Sequence, residues 1–181
     1  MDIILSYIPS GEQGLLPYYL FLVGIVSVGN SLQNLTTLHY TRRIYNSLFV
    51  PNPAIAGDNK NKETKQNPAD SVNKLVLASA SAAGKDADKA AQDQVTPLAA
   101  RLFGTWTMLA GFIRMYAAHD VSNRALYELA LLTHVVAAAH FISELTVFKT
   151  FRLTGPQLFP LFAGTGGSIW MALQYSHYVK A

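Results

Sequence analysis

Between Gln13 and Thr41, and again between Leu153 and Val179, the chain contains no Asp, Glu, Lys or Arg. The hydrocarbon core of a bilayer takes about 20 apolar residues as one helix, and core helices of water-soluble proteins seldom stay uncharged over such a length. These runs narrow the choice of fold more than any other feature, because they read as membrane helices. The whole-chain mean hydropathy of +0.19 understates the signal. It is diluted by one polar stretch, from Arg42 to Ala99.

Four spans follow, at about 16–38, 102–119, 126–148 and 157–175. Pro17 sits at the first turn of span 1, where a missing N–H costs nothing. Asp120 to Asn123 forms a short turn between spans 2 and 3, and Thr154-Gly155-Pro156 breaks the chain before span 4. The sequence therefore predicts an all-α fold, a four-helix transmembrane bundle in a single membrane domain over residues 1–181. Residues 42–99 form a long polar linker loop between helices 1 and 2. From Ala54 to Ala99 this loop has six lysines against six acidic residues. Its one apolar patch is Val72 to Leu77. The loop is predicted to be disordered, with one transient helix at most, since it cannot bury enough apolar surface to offset ordering. The chain start has no basic n-region, and Leu16–Leu38 is too long for the apolar core of a signal peptide. Span 1 thus reads as a retained anchor.

The net charge of +3 does not point to nucleic acid, because the basic residues stand at helix ends rather than along one face. Arg42, Arg43, Arg101, Lys149 and Arg152 flank one side of the spans; Arg124 and Lys180 flank the other. That bias places loops 1 and 3 in the cytosol and both termini in the lumen. With no cysteine, thiol catalysis, disulfides and cysteine-based zinc sites are excluded.

Polar residues inside the spans are the candidate functional positions. Asn30, Asn34 and Thr37 share one face of span 1, with Ser27 and Ser31 nearby. Such a stripe packs against other helices or lines a ligand site. Arg114, Glu128, His134, His140 and Glu144 are costlier. If spans 2 and 3 turn around Ser122, Arg114 matches Glu128 in depth and Arg101 matches Glu144, so two ion pairs would fix the register. His134 and His140 lie six residues apart and point about 120° apart around a helix. That spacing argues against one metal site, and haem would need a second helix, as in His39 with His140. Gly164 to Ser168 lies within span 4, where small residues let helices approach closely. Asn34-Leu35-Thr36 matches a glycosylation triplet but falls inside a span. No nucleophile–base arrangement, phosphate loop or dinucleotide fingerprint is visible. No catalytic, cofactor or metal residue is assigned.

The second half carries an ordered set of short motifs: Arg101-Leu102-Phe103-Gly104-Thr105-Trp106-Thr107, Ile113-Arg114-Met115-Tyr116, Tyr127-Glu128-Leu129, His140-Phe141, Ser143-Glu144-Leu145 and Phe148-Lys149-Thr150. With Ile25-Val26-Ser27-Val28 and Asn30-Ser31-Leu32-Gln33 in span 1, they resemble the ergosterol biosynthetic protein 28 family. The resemblance covers nearly the whole chain except about residues 51–96. It implies a non-catalytic endoplasmic-reticulum membrane scaffold without a cofactor. The partners it implies are the sterol C-4 methyl oxidase, the sterol C-3 dehydrogenase/decarboxylase and the 3-keto sterol reductase, with the sterol C-24 methyltransferase as a further associate. Asn30, Asn34, Arg101, Trp106, Arg114, Glu128, His140 and Glu144 are the candidate structural or interaction residues. The alternative is a haem- or sterol-binding membrane enzyme using His134 or His140.

Overall fold

A computed structural model describes residues 8–51, 75–78, 91–153 and 155–180. The described chain is mostly helical, and each long helix starts and stops for a local reason. After a 3-10 turn at Gly11–Gln13, α1 runs over Leu16–Thr36 with Pro17 in its first turn. It ends two residues before the expected Leu38, because Thr37 is extended, and a short α2 follows at His39–Ile44. The next long helix, α3, covers Pro97–His119 and begins earlier than expected. Thr96 caps it by accepting from the Ala99 amide at 3.1 Å, and Pro97 fits its first turn. Helix α4 covers Arg124–Thr146, capped by Asn123 on the Leu126 amide at 3.2 Å. It stops short of Phe148, and Lys149 adopts a left-handed backbone with φ of 56°. Helix α5 covers Leu158–Leu173, and a last turn, α6, covers Tyr175–Tyr178.

The expected loop at 42–99 is narrower and more structured at its edges than its composition suggested. Strand β1, Phe49–Pro51, pairs antiparallel with β2, Leu75–Leu77, and Phe49 also bridges to Gln92. The one apolar patch of the loop thus supplies a strand, since Leu75 to Leu77 can pair with another apolar segment. Residues 52–74 and 79–90, on which the expectation of disorder rested, lie outside the described residues.

Helix α4 is long and apolar enough to cross a membrane; α5 is apolar but shorter. In α1, Pro17, Tyr18 and Tyr19 at one end and Asn30, Gln33 and Asn34 at the other lower the hydropathy. Arg101 and Arg114 do the same in α3.

The helices pack through glycines. A Cβ on Gly24 of α1 would meet the Gly111 carbonyl oxygen of α3 at 2.9 Å, and one on Gly104 would meet the Ser31 carbonyl oxygen at 3.1 Å. Between α4 and α5, a Cβ on Gly164 would lie 3.0 Å from the Ala138 nitrogen. These are backbone-to-backbone approaches that only a missing side chain allows. Gly164 therefore does what the small-residue run predicts, whereas Gly167 makes room for the side chains of Tyr19 and His134 and Gly166 faces open space.

Two apolar clusters lie at opposite ends. One joins Leu16, Leu20, Ala117, Val121, Tyr127, Met171 and Tyr178 near the α3–α4 turn. The other joins Ile44, Phe103, Phe141 and Phe151. The second end is closed by the chain after α2 crossing the α4–α5 connection. Gln157, fully buried, donates to the carbonyls of Arg43 at 2.7 Å and Ile44 at 3.2 Å, and the Ser47 amide donates to the Thr150 carbonyl.

Candidate functional site

Between the two apolar clusters lies a polar layer. Ser27 and Ser31 of α1, Thr107 and Arg114 of α3, and His134 of α4 are all buried. Arg114 is 6 % exposed, and its guanidinium reaches three groups: Thr133 Oγ1 at 3.0 Å, the Thr133 carbonyl at 3.2 Å and Ser27 Oγ at 3.1 Å. One side chain thus ties α1, α3 and α4 together. A cavity of about 60 Å3 in this layer is lined by Asn30, Ser27, Thr107, Arg114 and His134, a size that suits water rather than a lipid.

A second, larger cavity of about 340 Å3 opens at the end closed by α2. At its polar edge, Tyr45 Oη and His140 Nε2 lie 2.6 Å apart. His140 Nδ1 is 3.9 Å from Glu144 Oε1, one helical turn on, and Thr150 Oγ1 donates to Glu144 Oε2 at 2.5 Å. The imidazole is surrounded by rings: Trp106 at 5.8 Å, Phe103 at 6.5 Å, Phe141 at 5.1 Å and Tyr45 at 6.0 Å between centroids. Burial, reinforced by Glu144 and Tyr40, pushes the Tyr45 hydroxyl's pKa up, so Tyr45 stays a neutral phenol. Chemically, the arrangement is a row of hydrogen-bonding groups at the mouth of an aromatic cage.

Trp106, His140 and Glu144, singled out from sequence, therefore converge on one cavity. Asn34 lies elsewhere, against Gly104, where its Oδ1 accepts from Thr41 Oγ1 at 3.0 Å. Asn30 lines the small cavity, and Thr37, expected on the same stripe, is exposed and donates to the Gln33 carbonyl.

Both expected ion pairs are absent among the described residues. Glu128 accepts from Arg124 Nε at 2.8 Å and from Tyr175 Oη at 2.5 Å on the exposed face of α4. Arg114 instead meets Thr133. Five residues of helix separate 128 from 133, a rotation of about 140°. Matched depth was a sound argument for a neighbour on α4, but depth does not fix rotation about the axis. Arg101 is exposed beside the end of α1, lining a cleft with Asn34 and Leu38, while Glu144 is held by Thr150.

The histidines do not suit a haem. His140 Nε2 is engaged by Tyr45, and a Cβ on Gly167 would come within 3.0 Å of His134 Nε2. No group of three His, Cys, Asp or Glu able to hold a metal occurs among the described residues. Sequence reasoning missed Tyr45, because nothing in its neighbourhood distinguishes it from the nearby Tyr40. It also missed Gln157, an ordinary polar residue at a helix start.

Large apolar side chains exposed along the long helices, a buried polar layer between two apolar clusters, and a hydrogen-bonding pocket at one end define this helical protein. The chain matches the family described as Erg28 like protein over residues 16–169, and it belongs to that family. It is 44% identical to ergosterol biosynthetic protein 28 of Gibberella zeae over 180 residues, 99% of each chain. It is 30% identical to the protein of that name in Candida albicans, covering 97% of this chain and 96% of that one. The Saccharomyces cerevisiae protein of that name is also 30% identical, with 92% and 84% covered. No solved structure matches the chain.

Proposed function

We propose that this chain is a multi-pass membrane protein of the endoplasmic reticulum. In this reading it acts in ergosterol biosynthesis by association rather than by catalysis. The observation that carries the membrane part is the exposed surface of the long helices. Leu22, Ile25 and Leu32 of α1, Leu109 and Phe112 of α3, Leu132 and Val136 of α4, and Phe162 and Ile169 of α5 all stand exposed, Leu109 at 61 % and Phe162 at 67 %. Such a surface on four helices around buried Arg114, His134 and Asn34 suits lipid and not water. In this arrangement α1, α3, α4 and α5 span the bilayer as a four-helix bundle. The basic residues Arg42, Arg43, Arg101, Lys149 and Arg152 mark the cytosolic side.

The sterol part follows from the relatives, all named for ergosterol biosynthesis. Their names state no reaction, and the family resemblance read from the sequence implies a scaffold. The chain holds together the C-4 methyl oxidase, the C-3 dehydrogenase/decarboxylase and the 3-keto reductase, with the C-24 methyltransferase as a further partner. The physical gain is effective concentration: an intermediate released beside the next enzyme is captured before it diffuses away. Tagged chain purified from microsomes in mild detergent should bring these enzymes down together. Their absence from the eluate under conditions that retain other membrane complexes would refute the scaffold.

A further inference from the structure

The 340 Å3 cavity between α2, α3 and α4 has a polar edge and an apolar body. Its volume falls at the lower end of small-molecule sites, roughly 300–1,000 Å3, and one side is open so that a longer ligand can project outward. Leu102, Phe103, Trp106 and Val95 supply the apolar walls, and two of these are flat aromatic rings. Tyr45, His140 and Glu144 supply the polar edge.

We infer that this cavity binds a sterol alcohol, its hydroxyl held at Tyr45, His140 and Glu144 and its ring system laid against Phe103 and Trp106. The choice of lipid class rests on the sterol role proposed above; the existence and chemistry of the site rest on the geometry alone. Among the described residues no Lys or Arg lines the cavity, and Glu144 does, so a phosphate headgroup finds no counter-charge there and meets repulsion. A fatty acid's carboxylate is disfavoured for the same reason. A neutral hydroxyl fits. Glu144 offers oxygens that accept its proton, and the Tyr45–His140 pair serves as donor or acceptor according to the histidine tautomer. A flat, rigid ring system suits flat aromatic walls and loses little conformational freedom on binding. Tyr45 comes from the chain after α2 and Glu144 from the end of α4, so an occupant would also brace the two against each other.

The test uses the full chain in lipid nanodiscs and a tritiated 3-hydroxysterol as probe, displaced by unlabelled competitors. The hydroxysterol should compete at least tenfold better than the matching sterol hydrocarbon without oxygen. Tyr45→Phe should weaken binding about fivefold or more. Ala99→Trp, which fills the cavity from an exposed position whose backbone cap on Thr96 is untouched, should abolish it without lowering the melting temperature. Equal competition by hydrocarbon and alcohol, or unchanged binding by Ala99→Trp, would overturn the site. Enzyme co-purification, followed in parallel, separates this inference from the scaffold. Co-purification without sterol binding removes the site alone, and sterol binding without co-purification removes the scaffold alone.

Discussion

Arg114 of α3 donates to Ser27 Oγ of α1 at 3.1 Å, joining helices whose contact residues lie 87 positions apart in sequence. With two further bonds to Thr133, this guanidinium is neutralised by no carboxylate among the described residues and is held by dipoles alone. Removing it therefore discriminates between dipole tethering and the ion pair expected from depth.

Arg114→Met keeps most of the volume and removes the buried charge, so it should melt close to the wild-type temperature in detergent micelles. Arg114→Ala loses the same hydrogen bonds but also opens a void, at a cost of about 2–4 kcal/mol. Glu128→Gln, whose partners are the exposed Arg124 and Tyr175, should not shift melting measurably. The double variant Arg114→Met with Glu128→Gln should melt with Arg114→Met alone. Strong coupling between the two positions would restore the ion pair that the geometry lacks.

Glycine substitutions probe the helix contacts by position. Gly24→Leu must displace either Met115 or the Gly111 backbone and should destabilise the chain by about 3 kcal/mol or more. Gly29→Leu, five residues on in the same helix with nothing within 4 Å of its added Cβ, should be tolerated. The same contrast holds in α5, with Gly164→Leu damaging and Gly166→Leu mild. Thermal melts of the four variants decide whether close approach or mere helicity governs these positions.

Gln157 closes the end that carries the larger cavity. Gln157→Leu removes the donors to the Arg43 and Ile44 carbonyls and should cost about 1–3 kcal/mol. Loosening α2 from α5 should also speed trypsin cleavage at Arg42 and Arg43, read by mass spectrometry of the fragments.

How much of this was legible in the sequence follows from what each signal encodes. Charge-free runs, the proline at 17 and the polar turn at 120–123 act within a few positions, so the long helices could be located to within a few residues at most ends. The α3 start lies five residues early, because the polar sequence before Leu102 hid the cap at Thr96. Which face of each helix turns inward is a tertiary matter. Asn34 and Ser31 lie on the packed face, since clustered polar residues in an apolar helix have few other places to go, but Thr37 of the same expected stripe lies past the end of α1 and is exposed. The rotation of α4 could not be read the same way, since Ala, Leu and Val occur all round it. Glu128 consequently fell outside and Thr133 took its place beside Arg114. His140 and Glu144 stood out by charge and spacing. Their partner Tyr45 lies 95 positions from His140, and only packing brings it near.

Orientation is testable without purification. The lysines at 60, 62 and 65 lie in the connection between α2 and α3. Trypsin added outside sealed microsomes should cut there while tags at both termini stay protected. Intact connections with cleaved terminal tags would invert the orientation drawn from Arg42, Arg43, Lys149 and Arg152.

The scaffold itself is tested most directly by reconstituting the purified C-4 demethylation enzymes in proteoliposomes at low surface density, with and without this chain. Flux from a C-4-methylated sterol through all three steps should rise severalfold when the chain is present. The 4-carboxylated and 3-keto intermediates should fall, and each enzyme assayed alone with excess substrate should keep its activity. Unchanged flux at every density, or turnover of the sterol by this chain without the enzymes, would contradict it.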